Sequence, residues 1–336
     1  MHTHALSSYL SRLIPDENPM RKCRYLLIPL LLCAGLSLSV GVGDMSWQGL
    51  LQGQAHDWQL FWTSRFPRLM AILIAGAGLS VCGLIMQTLS RNRFVSPTTA
   101  GLYDCARLGV LVSIIVLPSA SIFLKTGFAV AVTLLGAMGF MAILSRLKHR
   151  DTVFVPLVGM IFGSIISAFT TFIALQMDLL QSLAGWLQGD FSTILNGQYE
   201  LIYLSVPLFF IIYLFAQRFL LAGLGQDFAS NLGLNYRQTL FIGLILVSVI
   251  TGIVVITVGA IPFLGLIVPN IVSLYLGDNL RKTLAPTALL GALLVLICDV
   301  FGRILIYPYE IPISLIMGVF GSVIFLWLLL RSYRHV

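Results

Sequence analysis

Nine long stretches almost free of charged side chains divide this sequence, and each is close to or above the length of a membrane-spanning helix. A helix crosses a bilayer with about 20 mostly apolar residues, and only helices or closed barrels satisfy their backbone hydrogen bonds in lipid. Because the stretches are continuous rather than alternating in polarity, helices are favoured. The stretches are Tyr25–Gly43, Leu69–Ser90, Leu108–Leu124, Thr126–Ser145, Thr152–Met177, Leu201–Gln217, Gln238–Gly277, Thr283–Gly302 and Ile311–Leu330.

The stretch from Gln238 to Gly277 has 40 residues and is too long for one crossing. A GAIPF turn at residues 259–263 divides it, which raises the predicted count to about ten helices. Only 10% of all residues are charged and 58% are hydrophobic, whereas a soluble domain carries about 25% charged residues. The sequence therefore predicts an all-α polytopic membrane protein, with one transmembrane domain at residues 25–330 between tails at residues 1–24 and 331–336.

The positions of lysine and arginine predict the orientation, because these residues are enriched in cytoplasmic loops. If the N-terminus is cytoplasmic, 16 of the 20 basic residues lie inside, and the outside retains Arg65, Arg68, Lys125 and Arg303. We therefore predict that both termini are cytoplasmic. The net charge of +7 then reflects membrane topology, and no nucleic acid partner is expected.

The beginning of the chain does not look like a removable signal peptide. The first 24 residues are polar and contain Pro15 and Pro19, and no small-residue cleavage site follows the first apolar stretch. Met20 is an alternative start that would leave the predicted topology unchanged. The five cysteines are scattered without a CxxC pair, which predicts neither a disulfide framework nor a metal site.

Two charged pairs are the candidates for chemistry at membrane depth. Asp104 and Arg107 are three residues apart and Asp299 and Arg303 are four apart, so each pair can meet on one helical face. We interpret both as self-neutralising ion pairs. The sequence has no HExxH or GxSxG pattern, which argues against an enzyme. Because the chain also lacks GxxxxGK[ST], any ATP that powers it would be hydrolysed by another chain.

The longest predicted cytoplasmic connection, at about residues 218–238, is amphipathic. Leucine and phenylalanine recur among glycines at positions 223, 225 and 233, which predicts two short helices with glycine hinges. An interfacial helix that lies on the lipid headgroups is one interpretation. Asp227 and the compact ASNLGLN turn instead favour docking into a groove on a partner protein.

Five blocks of sequence occur in a recognisable order and spacing: RFPRLMAILIAGAGLSVCGLIMQ, RNRFVSPTTAG, ASNLGLNYRQT, VGAIPFLGLIVPNIV and CDVFGRILIYPYEIPISLIMGVFGSVIFLWLLLR. From about residue 25 onward they resemble the FecCD/BtuC-type permeases of ABC importers for iron-siderophores, haem and cobalamin. The resemblance implies a type II importer permease in the bacterial cytoplasmic (inner) membrane. In that family two permeases form a dimer around a central pathway, two cytoplasmic ATPase subunits dock beneath it, and a periplasmic binding protein delivers the substrate.

The same resemblance implies roles for particular residues. Arg65, Arg68 and Arg303 match the arginines that receive acidic residues of the binding protein. The ATPase contact is assigned to Gln226, Asp227, Ala229, Leu232, Gly233, Leu234 and Arg237. ATP would be hydrolysed by the partner subunits, and this chain would bind no cofactor or metal itself.

Departures from the family pattern narrow the expected substrate. RNRFVSPTTAG replaces the more frequent NPLAxP block, and Ser273 stands where arginine is usual. The first variant resembles the branch that serves ferric catecholate siderophores of the enterobactin and petrobactin type. That branch often pairs two related permeases, which favours a heterodimer over a homodimer. A wide pathway for such a chelate could be lined by Met86, Gln87, Met160, Phe172 and Met177.

Two other functions remain open at this point. Few carboxylates lie within the apolar stretches, and those present are next to arginines, which weakens the case for an ion-gradient-driven secondary transporter without excluding it. A membrane scaffold without transport activity is the third possibility. Dependence of uptake on a separate P-loop protein would distinguish the ATP-driven importer from both.

Overall fold

The computed structural model describes residues 19–41, 43, 45–146, 154–197 and 199–333 of the 336-residue chain. Most of the predicted N-terminal tail and the last three residues lie outside this described part. The helices of the first half are α1 (Pro19–Ser39), α2 (Trp47–Leu51), α3 (Ala55–Leu60), α4 (Phe66–Ser90), α5 (Leu102–Val116), α6 (Ile122–Arg146) and α7 (Phe154–Gln176). Those of the second half are α8 (Leu180–Leu187), α9 (Ser205–Gly223), α10 (Gln226–Asn231), α11 (Tyr236–Val258), α12 (Leu264–Leu276), α13 (Leu280–Leu305) and α14 (Ile313–Tyr333).

Seven helical segments in the described chain are long and apolar enough to cross a membrane. They are Ala55–Ser90, Ile122–Arg146, Phe154–Gln176, Glu200–Gly223, Tyr236–Val258, Leu280–Leu305 and Ile313–Leu330. Shorter apolar segments lie at Tyr25–Ser39 and Leu264–Leu276, and α5 has only 15 residues. The chain is thus an all-α polytopic membrane protein, as predicted. The count of about ten crossings and the cytoplasmic position of both termini stay predictions.

Two irregular segments affect the long helices. A π-helical turn at Phe61–Arg65 joins α3 to α4, so that Ala55–Ser90 forms one segment. The predicted break at GAIPF is confirmed, because α11 ends at Val258 and α12 begins at Leu264. Pro262 has no backbone N–H to donate, and Phe263 adopts a positive φ of 63°, so neither continues the helix. The 40-residue stretch therefore forms two helices.

Helix α4 is the centre of the fold and is buried over most of its length. It packs against α9, α11, α12 and α13. Gly83 allows the closest approach, since a β-carbon added there would lie 1.7 Å from the carbonyl oxygen of Gly265 in α12. Small residues let membrane helices approach closely where no hydrophobic driving force exists between them. Charged residues surround the start of α4, and a surface groove lies beside its end. The helix therefore fixes the distance between these two regions, which are the candidate sites described below.

Helix α7 lies at the periphery and packs mainly against α5. Most of its side chains are uncovered by the rest of the chain, including Ile165, Phe169 and Phe172. An apolar face of this size faces lipid or another protein subunit. The exposed face of α7 can therefore contact lipid or a second subunit.

Candidate functional site

Five charged residues meet where α4 begins and α13 ends, and we call Arg65, Arg68, Asp299, Arg303 and Glu310 the ionic cluster. Arg68 Nη2 donates to Asp299 Oδ1 at 2.8 Å, and Arg68 Nη1 donates to both carboxylate oxygens of Glu310 at 2.8 and 3.0 Å. Arg303 pairs with Asp299 one helical turn away, which confirms the ion pair predicted from their spacing. Three guanidinium groups face two carboxylates, so the cluster carries a net charge of +1.

The remaining donors of the cluster hold the end of α1. Arg303 Nη1 donates to the carbonyl oxygens of Ser37 at 2.9 Å and Val40 at 2.7 Å, and Arg303 Nη2 donates to Ser37 Oγ at 2.6 Å. Arg65 donates to the carbonyl oxygens of Val40 and Gly43. Carbonyl groups at a helix C-terminus carry partial negative charge and lack intrahelical partners. The two arginines therefore satisfy these carbonyls and fasten α1 to α4 and α13.

The ionic cluster is largely covered by the chain. Arg303 and Arg65 are 3% and 8% exposed, and the Arg68 side chain is 12% exposed. A pocket of about 310 Å³ opens onto the cluster and is lined also by Ser64 and Ser192. The three arginines predicted to act together do lie together, but their guanidinium groups bind partners within this chain and do not project freely from the surface.

The sequence did not predict two further components of the ionic cluster. Glu310 lies in the connection between α13 and α14, far from Arg68 in sequence, and no helical spacing links the two. The carbonyl groups at the end of α1 carry no sequence signal at all. Only the Asp299–Arg303 spacing was informative, because both residues lie on one helix.

The connection between α9 and α11 contains one short helix. Residues 218–223 form the end of α9, and α10 covers Gln226–Asn231. Of the two short helices expected at residues 218–238, the first is therefore the last turns of a membrane helix. Gly225 and Gly233 flank α10 with positive φ values of 124° and 76°, a conformation that glycine adopts without steric cost.

The surface around α10 is apolar. Leu224, Phe228 and Leu232 recur every four residues and are each more than half exposed, and we call these three residues the apolar stripe. Ala229 is buried, and Leu234 N–H donates to its carbonyl oxygen at 3.0 Å. The other predicted contact residues, Gln226, Asp227, Gly233 and Arg237, are exposed. The apolar stripe with this polar rim has the composition of a protein interface.

A groove of about 260 Å³ lies beside the apolar stripe. The C-terminal end of α4, the junction of α9 and α10, and the start of α13 line it. At its edge Arg93 pairs with Asp278 at 2.5 Å, and Ser273 donates to the same carboxylate. Asn270 Nδ2 donates to the carbonyl oxygen of Arg93 at 2.7 Å. These contacts tie the loop after α4 to α12, so α4 links the region of the apolar stripe to the ionic cluster.

The predicted pathway residues fall into two groups. Met86 is fully buried, and the buried Gln87 donates to the carbonyl oxygen of Leu266 at 3.2 Å, so both belong to the packing of α4 against α12 in this conformation. Gln87 also lines the groove beside the apolar stripe, and a place in the transport pathway stays a prediction for both residues. Met160, Phe172 and Met177 lie on or beside α7 and are about half exposed.

The ion pair predicted between Asp104 and Arg107 is wrong. Within the described residues, no carboxylate lies within ion-pair distance of Arg107. Its Nη1 donates to Ser167 Oγ of α7 at 3.4 Å. The Asp104 carboxylate lies against Gly163, where an added β-carbon would be 2.6 Å from Oδ2. The two charged groups still interact electrostatically, and Ser167 of α7 is a hydrogen-bond partner of both, so the hydroxyl group bridges them in place of a direct ion pair.

Comparisons with known proteins agree on one family. The chain matches the FecCD transport family over residues 29–331. It is 53% identical over 314 residues to the petrobactin import system permease protein YclN of Bacillus subtilis, covering 94% of this chain and 99% of the relative. It is 44% identical over 311 residues to the ferric-anguibactin transport system permease protein FatD of Vibrio anguillarum, covering 93% and 99%.

A solved structure supports the fold independently. A metal-chelate type ABC transporter in an inward-facing conformation superposes with a TM-score of 0.78 at 23% identity, over 93% of this chain and 99% of that chain. At this identity the likeness concerns the fold alone. The resemblance seen in the sequence blocks is confirmed by the family match and the two relatives. The protein is a multi-pass protein of the bacterial cytoplasmic membrane and a member of the FecCD transport family.

Proposed function

We propose that this chain is the transmembrane permease subunit of an ATP-driven importer that moves a ferric siderophore from the periplasm to the cytoplasm by alternating access. The observation that carries the proposal is the placement of two unlike surfaces at the opposite ends of α4. One end reaches the ionic cluster and the other reaches the groove beside the apolar stripe. A helix of 25 residues is about 37 Å long, which spans a bilayer. The relatives named for petrobactin and ferric-anguibactin support the substrate class.

The apolar stripe is the proposed contact for one of the two cytoplasmic ATPase subunits, and the second permease would bind the other. Its three large apolar side chains lie just after a membrane helix, next to polar residues, and are exposed in the single chain. Exposed apolar side chains in this setting are typical of a surface that a partner protein covers. The sequence has no nucleotide-binding P-loop, so the partner would hydrolyse ATP. Movement of α10 would reach α4 through the end of α9 and Leu224, which line the groove together with the end of α4, as a rigid-body displacement.

The ionic cluster is the proposed contact for a periplasmic binding protein. It carries a net charge of +1 and opens into a pocket, so an additional carboxylate from a partner would be attracted to it. Arg68 is the most exposed of the three arginines and already holds Glu310 in the geometry that an incoming carboxylate would require. A binding-protein carboxylate would therefore compete with Glu310 for Arg68, with Arg65 and Arg303 maintaining the positive field.

The cargo that we propose is a ferric catecholate, and the second permease that we propose is a related chain in a heterodimer. Three exposed side chains on or beside α7, Met160, Phe172 and Met177, would line part of the pathway between the two permeases. They are apolar and polarizable, so they would contact an aromatic chelate weakly and release it. An ion-gradient-driven secondary transporter remains the alternative function, and no observation on the described residues favours it.

Growth under iron limitation tests the substrate class. A strain that lacks this gene would be supplied with one ferric chelate at a time, with and without the gene restored. We expect a ferric catecholate to support growth only when this chain is present. Equal growth of the two strains on every ferric catecholate, with a difference on another nutrient, would refute the proposed cargo.

A further inference from the structure

A row of aromatic rings lies along the helical segment that leads into α4. Trp58, Trp62 and Phe66 recur every four residues, and we call them the aromatic ladder. The ring centroids of Trp58 and Trp62 are 6.4 Å apart in a stacked arrangement, and those of Trp62 and Phe66 are 5.0 Å apart. Trp58 and Trp62 are 42% and 49% exposed. The functions proposed above give these exposed rings no role.

The distance along the helix places the aromatic ladder at a membrane surface. Ser90 ends α4, and just beyond it Arg93 pairs with Asp278, both with more than half of the side chain exposed. This exposed charged pair marks one aqueous boundary, because charges are costly in hydrocarbon. Trp62 precedes Ser90 by 28 residues of one helical segment, which is about 42 Å. A bilayer with its headgroups is about 40–45 Å thick, so Trp62 lies at the opposite headgroup layer.

The residues around the rings suit this layer. Gln59 and Thr63, which follow the two tryptophans, are exposed, polar and uncharged. Asp57, the only charged residue in the sequence from 47 to 64, is buried and accepts a hydrogen bond from Ser46. This exposed surface is too polar for hydrocarbon and too aromatic for water. Tryptophan is enriched at the headgroup layer, where its apolar ring and its N–H group both find a suitable environment.

The two indole N–H groups differ in their partners. Trp58 Nε1 donates to the carbonyl oxygen of Leu50 at 3.1 Å, which fixes this ring against α2. Among the described residues, no acceptor lies within hydrogen-bond distance of Trp62 Nε1. Trp58 therefore holds the aromatic ladder in place, and Trp62 can donate to an acceptor outside the chain.

We propose that the aromatic ladder binds phospholipid at the headgroup layer of the outer leaflet, with Trp62 donating to an ester or phosphate oxygen of the lipid. The outer leaflet follows from the predicted orientation, in which Arg65 and Arg68 lie outside. A docking protein would approach from the aqueous phase, whereas the exposed rings lie on the flank of a spanning segment, where lipid is the neighbour. The lipid contact holds the start of α4, and with it the ionic cluster, at a fixed height in the membrane. It does not depend on the proposed cargo.

Fluorescence quenching in liposomes tests the lipid contact. A full-length variant in which Trp62 is the single tryptophan, with phenylalanine at the other four positions, would be reconstituted into phosphatidylcholine. The lipid would be brominated either near the ester end or near the methyl end of its acyl chains. We expect the bromines near the ester to quench Trp62 several-fold more strongly. Tryptophan octyl ester in the same liposomes is the depth standard and should show the same order, as should a variant with Trp58 as the single tryptophan.

Four results would overturn the inference. Stronger quenching by the bromines near the methyl end would place Trp62 in hydrocarbon. Quenching by aqueous iodide but by neither lipid would place the aromatic ladder in water. Quenching by none of these would mean that protein covers the rings. Loss of the lipid quenching when the periplasmic binding protein is added would assign the surface to that protein.

A spin label tests the same depth with all five tryptophans in place, should the single-tryptophan variant fail to fold. The label would be attached to a Thr63→Cys variant in which Cys23 and Cys33 are alanine. We expect it to collide about equally with lipid-soluble oxygen and with a water-soluble nickel complex, because a headgroup layer admits both. A large excess of either collision rate would overturn the headgroup position. Neither measurement requires transport, so a failure of the proposed function would leave this result standing.

Discussion

Replacement of Asp299 by asparagine would remove the carboxylate that contacts two arginines of the ionic cluster. Asp299 receives hydrogen bonds from Arg68 and pairs with Arg303, and its side chain is only 3% exposed. Removal of one partner from a buried ion pair costs about 3–5 kcal/mol, because the charge left behind is neither solvated nor paired. In the Asp299→Asn variant the net charge of the cluster rises from +1 to +2. We therefore expect the free energy of unfolding to fall by about 3–5 kcal/mol.

Glu310→Gln is the matched control. Among the described residues Glu310 forms an ion pair with Arg68 and its side chain is 19% exposed, while Arg68 keeps Asp299 as a partner. A more exposed pair contributes less, about 1 kcal/mol or below. Reversible unfolding of the purified chain in mixed detergent micelles, followed by tryptophan fluorescence, would measure both variants. Equal losses in the two variants, or an Asp299→Asn variant as stable as the wild type, would refute the claim that the cluster is a buried network.

Three other substitutions, two of them with matched controls, test the packing and the apolar stripe. Gly83→Ala should prevent stable folding because its β-carbon would lie 1.7 Å from a backbone oxygen of α12, whereas Gly318→Ala should be neutral because nothing lies within 4 Å; thermal stability would measure both. Gly233→Ala should cost about 1 kcal/mol and impair coupling of ATP hydrolysis to uptake, since its φ of 76° strains any β-carbon although space is open. Phe228→Asp should abolish co-purification of the ATPase, and Ser230→Asp on the other side of α10 should not.

For each of the three test substitutions, one result would contradict the prediction. A stable Gly83→Ala variant would mean that α4 and α12 are not in the close contact described. Normal coupling in Gly233→Ala would separate that turn from the transmission of movement. Retention of the ATPase by Phe228→Asp would exclude the apolar stripe as its contact.

The helices were predictable because their signal is local. Long apolar stretches identify membrane helices whatever they pack against, and the GAIPF turn identified the break between α11 and α12 correctly. The connection at residues 218–238 was less predictable, because apolar residues there belong partly to the end of α9 and partly to the exposed apolar stripe. Hydrophobic spacing alone does not distinguish a leucine in a membrane helix from one that awaits a partner protein.

The polar contacts were predictable only within one helix, and not always there. The four-residue spacing of Asp299 and Arg303 led to a direct ion pair. The three-residue spacing of Asp104 and Arg107 did not, because both groups bond Ser167 of the neighbouring helix α7 instead. Burial of Met86 and Gln87 follows from the close approach of α12 to α4. That approach depends on a glycine pair from distant parts of the chain, which no local pattern reveals.

The central claim is that this chain forms a pathway whose transport is driven by a separate ATPase. The most direct measurement is uptake of radioactive iron as a ferric catecholate into liposomes that contain the purified permease pair. We predict uptake only when the ATPase, ATP and the loaded binding protein are all present, and none with an ATPase unable to hydrolyse ATP. Uptake by the permease alone under an ion gradient, unaffected by ATP, would contradict the account.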